Sequence, residues 1–299
     1  MKYMIGIDGG GTKTEAIAFD KDGNELVRAT SGFGNILIDF EEALVHIMEA
    51  IDQCQKGVLN EHCVCICLGL AGVSGVNTNE LTLRLKKKYG TPIEVFNDAM
   101  IAHAAVLKGK DGILTIGGTG AICLGKKGEV YEYNGGWGHI LGDAGSGYWI
   151  GLQALKRMAN QLDQGIRLCP LSLRIQDEFQ LLTASHIKRL VYRSSKDKVA
   201  AITPFVIREA RNGNDAAHEI MMQAGKELAR ITIDVYNKMQ LDLLVSIAVS
   251  GSILRFVPEI YDEFKKCCEK SVGEVTFVLQ SEPAVKGTYY LMKNMYFKK

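Results

Sequence analysis

Proline is scarce in this chain of 299 residues, with 5 in all, and no stretch is low in complexity. No Pro- or Ser-rich linker separates its parts, so any domains are joined by short hinges. No apolar run reaches the roughly 20 residues a membrane helix needs, and no membrane partner is expected. Neither sign of charge is in excess, since 35 Lys and Arg stand against 34 Asp and Glu. Nucleic acid is therefore not an expected partner. The 8 cysteines lack finger-type spacing, which predicts no zinc site. The opening residues Met4-Ile5-Gly6-Ile7 already read as strand. That leaves no room for a signal peptide, so free thiols in a reducing cytosol are expected. Cys63, Cys65 and Cys67 alternate along one apolar run. Period two sets all three on one face of a strand, as small buried core residues. With 47% hydrophobic residues the chain has core enough for one large or two medium domains.

What is present is a duplication. Gly9-Gly10-Gly11-Thr12 and Gly117-Gly118-Thr119-Gly120 each follow a short apolar run, Met4–Ile7 and Ile113–Ile116. Each is followed by a strand-like run, a second turn (Lys21-Asp22-Gly23 and Lys126-Lys127-Gly128) and another strand, Glu25–Arg28 or Glu129–Glu132. Glycine lets backbone approach a ligand closely, and successive N–H groups form an anion-binding nest. Neither nucleotide motif in common use fits the first turn. Thr12 between Gly11 and Lys13 breaks the Walker A pattern, and Thr14 breaks G-x-G-x-x-G. Glu15–Phe19 reads as strand, so no helix N-terminus faces a phosphate there. A single Gly-Thr turn is as consistent with an ordinary hairpin as with a phosphate site. Two matched units that grip one triphosphate from both sides point to phosphoryl transfer.

Beyond the first three strands, a loop from Ser31 to Asn35 leads to a helix with Leu44, Ile47, Met48 and Ile51 on one stripe. The cysteine-rich strand, a helix around Glu80–Lys88, a strand Ile93–Phe96 and a helix Ala99–Leu107 complete the first half. After the second unit and the run Gly135–Gly147, five helices are expected between Tyr148 and Met239. A buried strand Leu243–Val249, one helix, a strand Glu274–Leu279 and a last helix from Pro283 follow. Alternating strands and helices imply an α/β fold with mixed sheets. The expected domains are 1–108 and 109–299, with the last helix, 283–297, a candidate to return to the first.

Several residues invite two explanations. Asp98, after a strand and before a helix, suits a general base or a helix N-cap. Asp8 is a phosphate-side carboxylate or a turn former. Asp143 is a ligand contact or the cap of a helix from Ala144. Asn35 is a ligand contact or a left-handed turn residue. Trp137, between Gly136 and Gly138, has little packing context and fits a backbone pinched against a ligand, whereas His139 reads as structural.

Gly6–Thr14, Asn97-Asp98, Gly117–Gly120 and Gly136-Trp137-Gly138-His139-Ile140-Leu141-Gly142-Asp143 resemble the N-acetylglucosamine kinase branch of the BadF/BadG/BcrA/BcrD ATPase family. The resemblance spans nearly the whole chain and implies two ribonuclease H-like, actin-like domains around a nucleotide cleft. It implies ATP and Mg²⁺, with Asp8 holding the metal through water beside the β- and γ-phosphates. Gly10, Gly11, Thr12 and Lys13 would line one side of the phosphates and Thr119 with Gly120 the other. Asp98 would take the sugar hydroxyl proton. Asn35, Gly120, Gly136, Trp137, Gly138 and Asp143 would border the sugar, and Gly251, Ser252 and Arg255 the adenosine. The implied activity is phosphorylation of an amino sugar, N-acetylglucosamine or N-acetylmuramic acid, at the 6-hydroxyl in cell-wall sugar recovery, by a cytoplasmic homodimer.

One departure concerns the acceptor. Relatives near the animal enzyme carry Ser-Asn after the second Thr-Gly, where this chain has Ala121-Ile122. That admits a muramic acid or an unacetylated glucosamine. Other classes weigh less. Activators of radical acyl-CoA dehydratases hold an iron–sulfur cluster through paired Cys near the second turn, and only Cys123 lies there. A sugar sensor would carry a helix-turn-helix extension, which is not seen, and the ROK sugar kinases a cysteine-rich zinc motif.

Overall fold

The computed structural model describes residues 1–58, 61–73, 76–241 and 245–297. The chain forms two compact units, Met1–Lys110 with Gln280–Lys299, and Asp111–Leu279. The first contains β1 (Lys2–Gly9), β2 (Thr14–Asp20), β3 (Glu25–Ser31), α1 (Phe40–Gly57), β4 (His62–Leu70), α2 (Asn79–Tyr89), β5 (Ile93–Asn97) and α3 (Asp98–Leu107). The second begins with β6 (Gly112–Gly117), β7 (Ala121–Lys127) and β8 (Val130–Gly135). Its helices α4 (Gly147–Asp163), α5 (Pro170–Glu178), α6 (Ala184–Arg193), α7 (Lys196–Ala200), α8 (Thr203–Arg211) and α9 (Asp215–Met239) follow. β9 (Val245–Ser250), α10 (Ser252–Phe256), α11 (Pro258–Val272) and β10 (Val275–Leu279) close that unit, and α12 (Lys286–Tyr296) belongs to the first.

Each unit is built on one five-stranded mixed sheet, in the orders β3-β2-β1-β4-β5 and β8-β7-β6-β9-β10. The pairing senses also match. The meander strands pair antiparallel, and β1-β4-β5 and β6-β9-β10 run parallel. The duplication read from two turns is thus a duplication of topology, and the α/β class with mixed sheets is observed. The two Gly-Thr turns occupy the same connection, β1 to β2 and β6 to β7.

Local rules place the helices. Asp39 caps α1 by accepting the Glu42 N–H at 2.9 Å, and the stripe Leu44, Ile47 and Ile51 is buried against the first sheet. Each such side chain contributes roughly 1.5–3 kcal/mol of burial. Six helices, not five, lie between β8 and β9, because Pro170 and Pro204 each open a helix within what reads as longer segments. Likewise two helices, α10 and α11, separate β9 from β10, divided at Val257-Pro258. Leu243 and Leu244 of the expected ninth strand lie outside the described residues. Among the described residues no helix is long and apolar enough to cross a membrane.

The cysteine strand departs from expectation. Tyr3 of β1 pairs with Cys63 and Met4 with Cys65, so Val64 is an extra residue in β4. This bulge breaks the period of two. Cys63 packs on the α1 side of the sheet, whereas Cys65 and Cys67 join Met4, Ile17 and Phe19 beneath α12. All eight thiols are free, as small core residues would be.

Helix α3 is buried on nearly every face, because α12 covers the side that the sheet does not. The crossing is close at Gly287, where an added Cβ would land on the carbonyl oxygen of Ile101. Gly287→Ala is expected to push α12 off α3 and lower stability by about 1–3 kcal/mol. The check is a fall in urea midpoint with an unchanged slope.

Candidate functional site

In the first unit, the ends of the parallel strands assemble the polar residues. Gly9 of β1 pairs with Leu70 of β4, and Leu70 with Asn97 of β5, so Asp8 and Asp98 share the carboxyl edge of one sheet. Open α/β sheets bind ligands at this edge. Asn97, not Asp98, caps α3, its side-chain oxygen accepting the Met100 N–H at 2.8 Å. Asp98 is the first residue of the helix, and its carboxylate accepts the Ala99 N–H at 2.9 Å. Freed of capping, it is available for other chemistry.

Burial raises the pKa of Asp98, against the lowering effect of its backbone hydrogen bonds. Asp8 is pushed up to about 6 by burial and then by the charges of Asp98 and Glu15, while Lys13 acts in the opposite sense. Glu15 stands directly across from Asp8 in the antiparallel register and is held by Arg28 at 2.7 Å. Sequence reasoning passed over Glu15; the hairpin register that aligns positions 8 and 15 was the available signal.

The first turn is tight, with the Gly10 N–H on the Lys13 carbonyl at 2.9 Å, and Gly11, Thr12 and Lys13 exposed along it. Asn35 is brought to the same place, since its N–H bonds the Gly10 carbonyl at 3.1 Å. Its side-chain oxygen accepts the Leu37 N–H at 2.9 Å, an Asx turn with ordinary φ. The left-handed alternative therefore does not hold.

In the second unit, the second turn is fastened to the segment that follows β8. The Gly118 carbonyl accepts the Gly147 N–H at 2.8 Å and the Thr119 carbonyl the Tyr148 N–H at 3.1 Å. Asp143 supplies a third tie. It is buried, adopts φ 61°, and accepts the Ala121 N–H at 2.9 Å with its carboxylate against Gly120. It is not a helix cap, because Ser146 caps α4 and the helix starts at Gly147. Between these anchors, Trp137 is 74% exposed, with Gly136 and Gly138 on either side at positive φ. Ile122 lies beside Gly136, and His139 sits edge-on to Tyr148 at 4.8 Å.

A pocket of about 390 Å³ adjoins the second turn. Its polar rim includes Gly118, Thr119, Ser252 and Arg211, and its walls Pro204, Ile207, Phe256 and Val257. Gly251 holds the β9–α10 connection against the turn: at φ 85°, any Cβ would strike the Gly117 carbonyl. Arg255 does not line the pocket but lies over the Phe256 ring at 5.1 Å. The apolar walls come from α8 and α10, where the residues read as ordinary helix faces, so sequence reasoning missed them. An apolar slot beside a turn rich in backbone donors suits a flat ring joined to an anion.

The fold is a duplicated α/β architecture, two mixed five-stranded sheets of matching topology. The model of the BadF/BadG/BcrA/BcrD ATPase family matches residues 5–287, and the chain belongs to that family. It is 29% identical to an N-acetylmuramic acid/N-acetylglucosamine kinase of Clostridium acetobutylicum, over 98% of this chain and 99% of the relative. It is 31% identical to an N-acetyl-D-glucosamine kinase of Dictyostelium discoideum, over 81% of each. The solved structure of a proposed N-acetylglucosamine kinase from Chromobacterium violaceum has the same fold, with a TM-score of 0.76 at 21% identity, covering 98% of this chain and 99% of that one.

Two outcomes are expected of this geometry. Asp143→Ala leaves the Ala121 N–H without its acceptor and should cost about 1–3 kcal/mol, with faster hydrogen exchange at Ala121. Asp143→Asn, which keeps an acceptor and tolerates the same φ, should lose much less. Asp8 is protonated more readily folded than unfolded, so its stabilising share is complete below pH 3.8 and lost as pH rises through about 6. In the absence of divalent metal, Asp8→Asn should therefore raise stability at pH 7 by up to about 3 kcal/mol, and the gain should vanish near pH 4 in paired urea titrations.

Proposed function

We propose that this protein is an ATP-dependent kinase that phosphorylates an amino sugar, with N-acetylglucosamine and N-acetylmuramic acid as acceptors. The observation that carries the proposal is Asp98, a solvent-reachable carboxylate at the sheet edge it shares with Asp8, released from capping by Asn97 and with its pKa raised by partial desolvation. The names of the Clostridium and Dictyostelium relatives support the same reading.

In this reading Asp98 orients the sugar 6-hydroxyl and accepts its proton. Burial makes it a stronger base than a solvated carboxylate. A positioned base of this kind is worth roughly 10²–10⁴-fold in rate. The rest of the task is positioning and charge neutralisation. The backbone donors and Lys13 of the first turn are suited to phosphate oxygens, and so, within the second unit, are Thr119 and Gly120. The slot between Pro204, Ile207 and Phe256 takes the adenine ring.

Asp8 fits a divalent cation. Its carboxyl is kept partly protonated by burial and neighbouring acids, and a cation at that point restores the charged form. Among the described residues no group of three or more His, Cys, Asp or Glu could hold a metal. This suits Mg²⁺ held by one carboxylate, waters and substrate phosphates. When bound, Mg²⁺ neutralises charge developing on the phosphates.

Gly136, Trp137 and Gly138 offer backbone and an exposed ring to the sugar, and Asn35 an amide. Ile122 beside Gly136 gives that wall an apolar surface, which suits the substituted N-acetylmuramic acid as well as N-acetylglucosamine. The wider family role, a cytoplasmic homodimer in cell-wall sugar recovery, completes the proposal by analogy. The activator alternative is disfavoured, because Cys123 is buried within β7 with the Thr115 hydroxyl donating to its sulfur at 3.4 Å.

A coupled ADP-release screen over N-acetylglucosamine, N-acetylmuramic acid, glucosamine, N-acetylmannosamine and glucose tests this directly. Turnover is expected with the first two, and none with any of the five would end the proposal. Asp98→Asn should lower kcat about 10²–10⁴-fold while ATP binding, followed by calorimetry, is largely kept. Retained turnover in that variant would remove Asp98 from its role.

A further inference from the structure

A second pocket in the Asp111–Leu279 unit, of about 460 Å³, shares no lining residue with the slot beside the second turn. It lies between the end of α5 and α6. Phe179, Leu181 and Leu190 form its apolar surface, and Arg189 and Arg193 its cationic side, with the His186 ring beside them. No acidic residue lines it. The sequence of α6, Ala-Ser-His-Ile-Lys-Arg-Leu-Val-Tyr-Arg, contains no carboxylate at all.

The cations are arranged against the interest of the helix alone. Arg189 and Arg193 are four residues apart, on one face, where like charges repel. His186 continues that row one turn earlier. Among the described residues neither arginine has a carboxylate partner. The nearest acid on α5 by sequence, Glu178, faces Arg208 at 3.9 Å. By contrast Arg174, Arg208 and Arg211, on the neighbouring helices, are each matched with a glutamate.

The apolar side is fixed in place. Phe179 meets Phe205 edge-on with ring centroids 5.9 Å apart, and Leu181 is buried. His186 is held at both ends, its N–H by the Thr183 hydroxyl at 3.3 Å and its Nδ1 by the Gln180 carbonyl at 3.1 Å. With Nδ1 on a carbonyl, Nδ1 is the donor and Nε2 is left for a ligand.

We propose that this pocket binds a small organic phosphomonoester, a sugar phosphate or a nucleoside monophosphate, at a site separate from phosphoryl transfer. A phosphomonoester carries about −1.5 to −2 charge near pH 7, matching two guanidinium groups. Guanidinium forks pair with phosphate oxygens two at a time. The apolar surface then takes the face of the ring that bears the phosphate. The volume lies within the roughly 300–1,000 Å³ of small-molecule sites.

The test compares the full-length protein with its R189Q/R193Q variant by isothermal titration at low salt, using glucosamine 6-phosphate, AMP and inorganic phosphate. Both arginines are exposed on α6, so the variant should fold with an unchanged unfolding midpoint. The expected result is a salt-sensitive class of site in the wild type that weakens at least about tenfold in the variant, as loss of charged hydrogen bonds predicts. Any binding at the second turn is common to both proteins and cancels in the comparison. The ester that binds more tightly identifies the source, sugar or nucleotide. Phe179→Ala should weaken that ester while leaving inorganic phosphate unchanged. Superimposable isotherms for wild type and R189Q/R193Q with all three probes would overturn the proposal. The measurement involves no phosphoryl transfer, so its failure and a failure of the kinase reading are distinguishable.

Discussion

The first unit is organised around an electrostatic conflict. Asp8 and Asp98 gather at the end of one sheet, where burial opposes the ionisation of both and the charges of Asp98 and Glu15 further oppose that of Asp8. A carboxylate whose pKa rises from 3.8 to about 6 gives up as much as about 3 kcal/mol at neutral pH. Domains are stable by only about 5–15 kcal/mol, so the rest of the unit has to offset a large fraction of its margin. It does so with an apolar sandwich, in which β1 and β4 pack on α1 from one side and on α3 and α12 from the other. The bulge at Val64 belongs to this solution, because it turns Cys65 and Cys67 towards α12. A sheet that carries these acids at its edge gains from having both faces covered, and the returning C-terminal helix covers the second.

The second unit applies the same edge to a different end. Its turn carries no acid pair, and the one nearby carboxylate, Asp143, spends an oxygen on the Ala121 N–H. Two hydrogen bonds join the turn to the start of α4 and a third joins Ala121 to Asp143, so the Gly136–Gly142 loop is anchored at both its ends to elements that also shape the turn. Under the kinase reading this links the sugar-side loop to the phosphate-side turn within one body. A residue expected at the sugar thus has a positioning duty as well, visible only when φ and hydrogen bonds are known.

Much of this was legible beforehand because its signals were local. Two glycine–threonine turns between short strands gave the duplication, since turn chemistry and period-two alternation act over a few residues. Asp98 was legible only as an ambiguity. Asn97 and Asp98 are both good caps, and one residue of register decides which is free. The cysteine strand misled because a bulge is set by pairing between β1 and β4, some sixty positions apart in sequence, and leaves no mark in either strand alone. The nucleoside-sized slot was invisible for a related reason. Pro204 and Ile207 come from α8 and Phe256 from α10, and each fits an ordinary amphipathic pattern.

The two sheets share strand order and pairing, yet the connections after their third strands differ greatly. In the first unit β3 passes through a short loop to α1, and in the second β8 is followed by six helices before β9. That difference accounts for the two pockets described above, since α8 lines the slot beside the turn and α5 with α6 form the cationic one. A bare sheet edge provides backbone donors for phosphate but little apolar surface for a ring. Ring recognition therefore requires added elements, and they can be inserted after the third strand because that edge lies away from the parallel strands β6 and β9. Duplication supplies the two phosphate-sized turns, and the insertion in one copy makes the halves unequal.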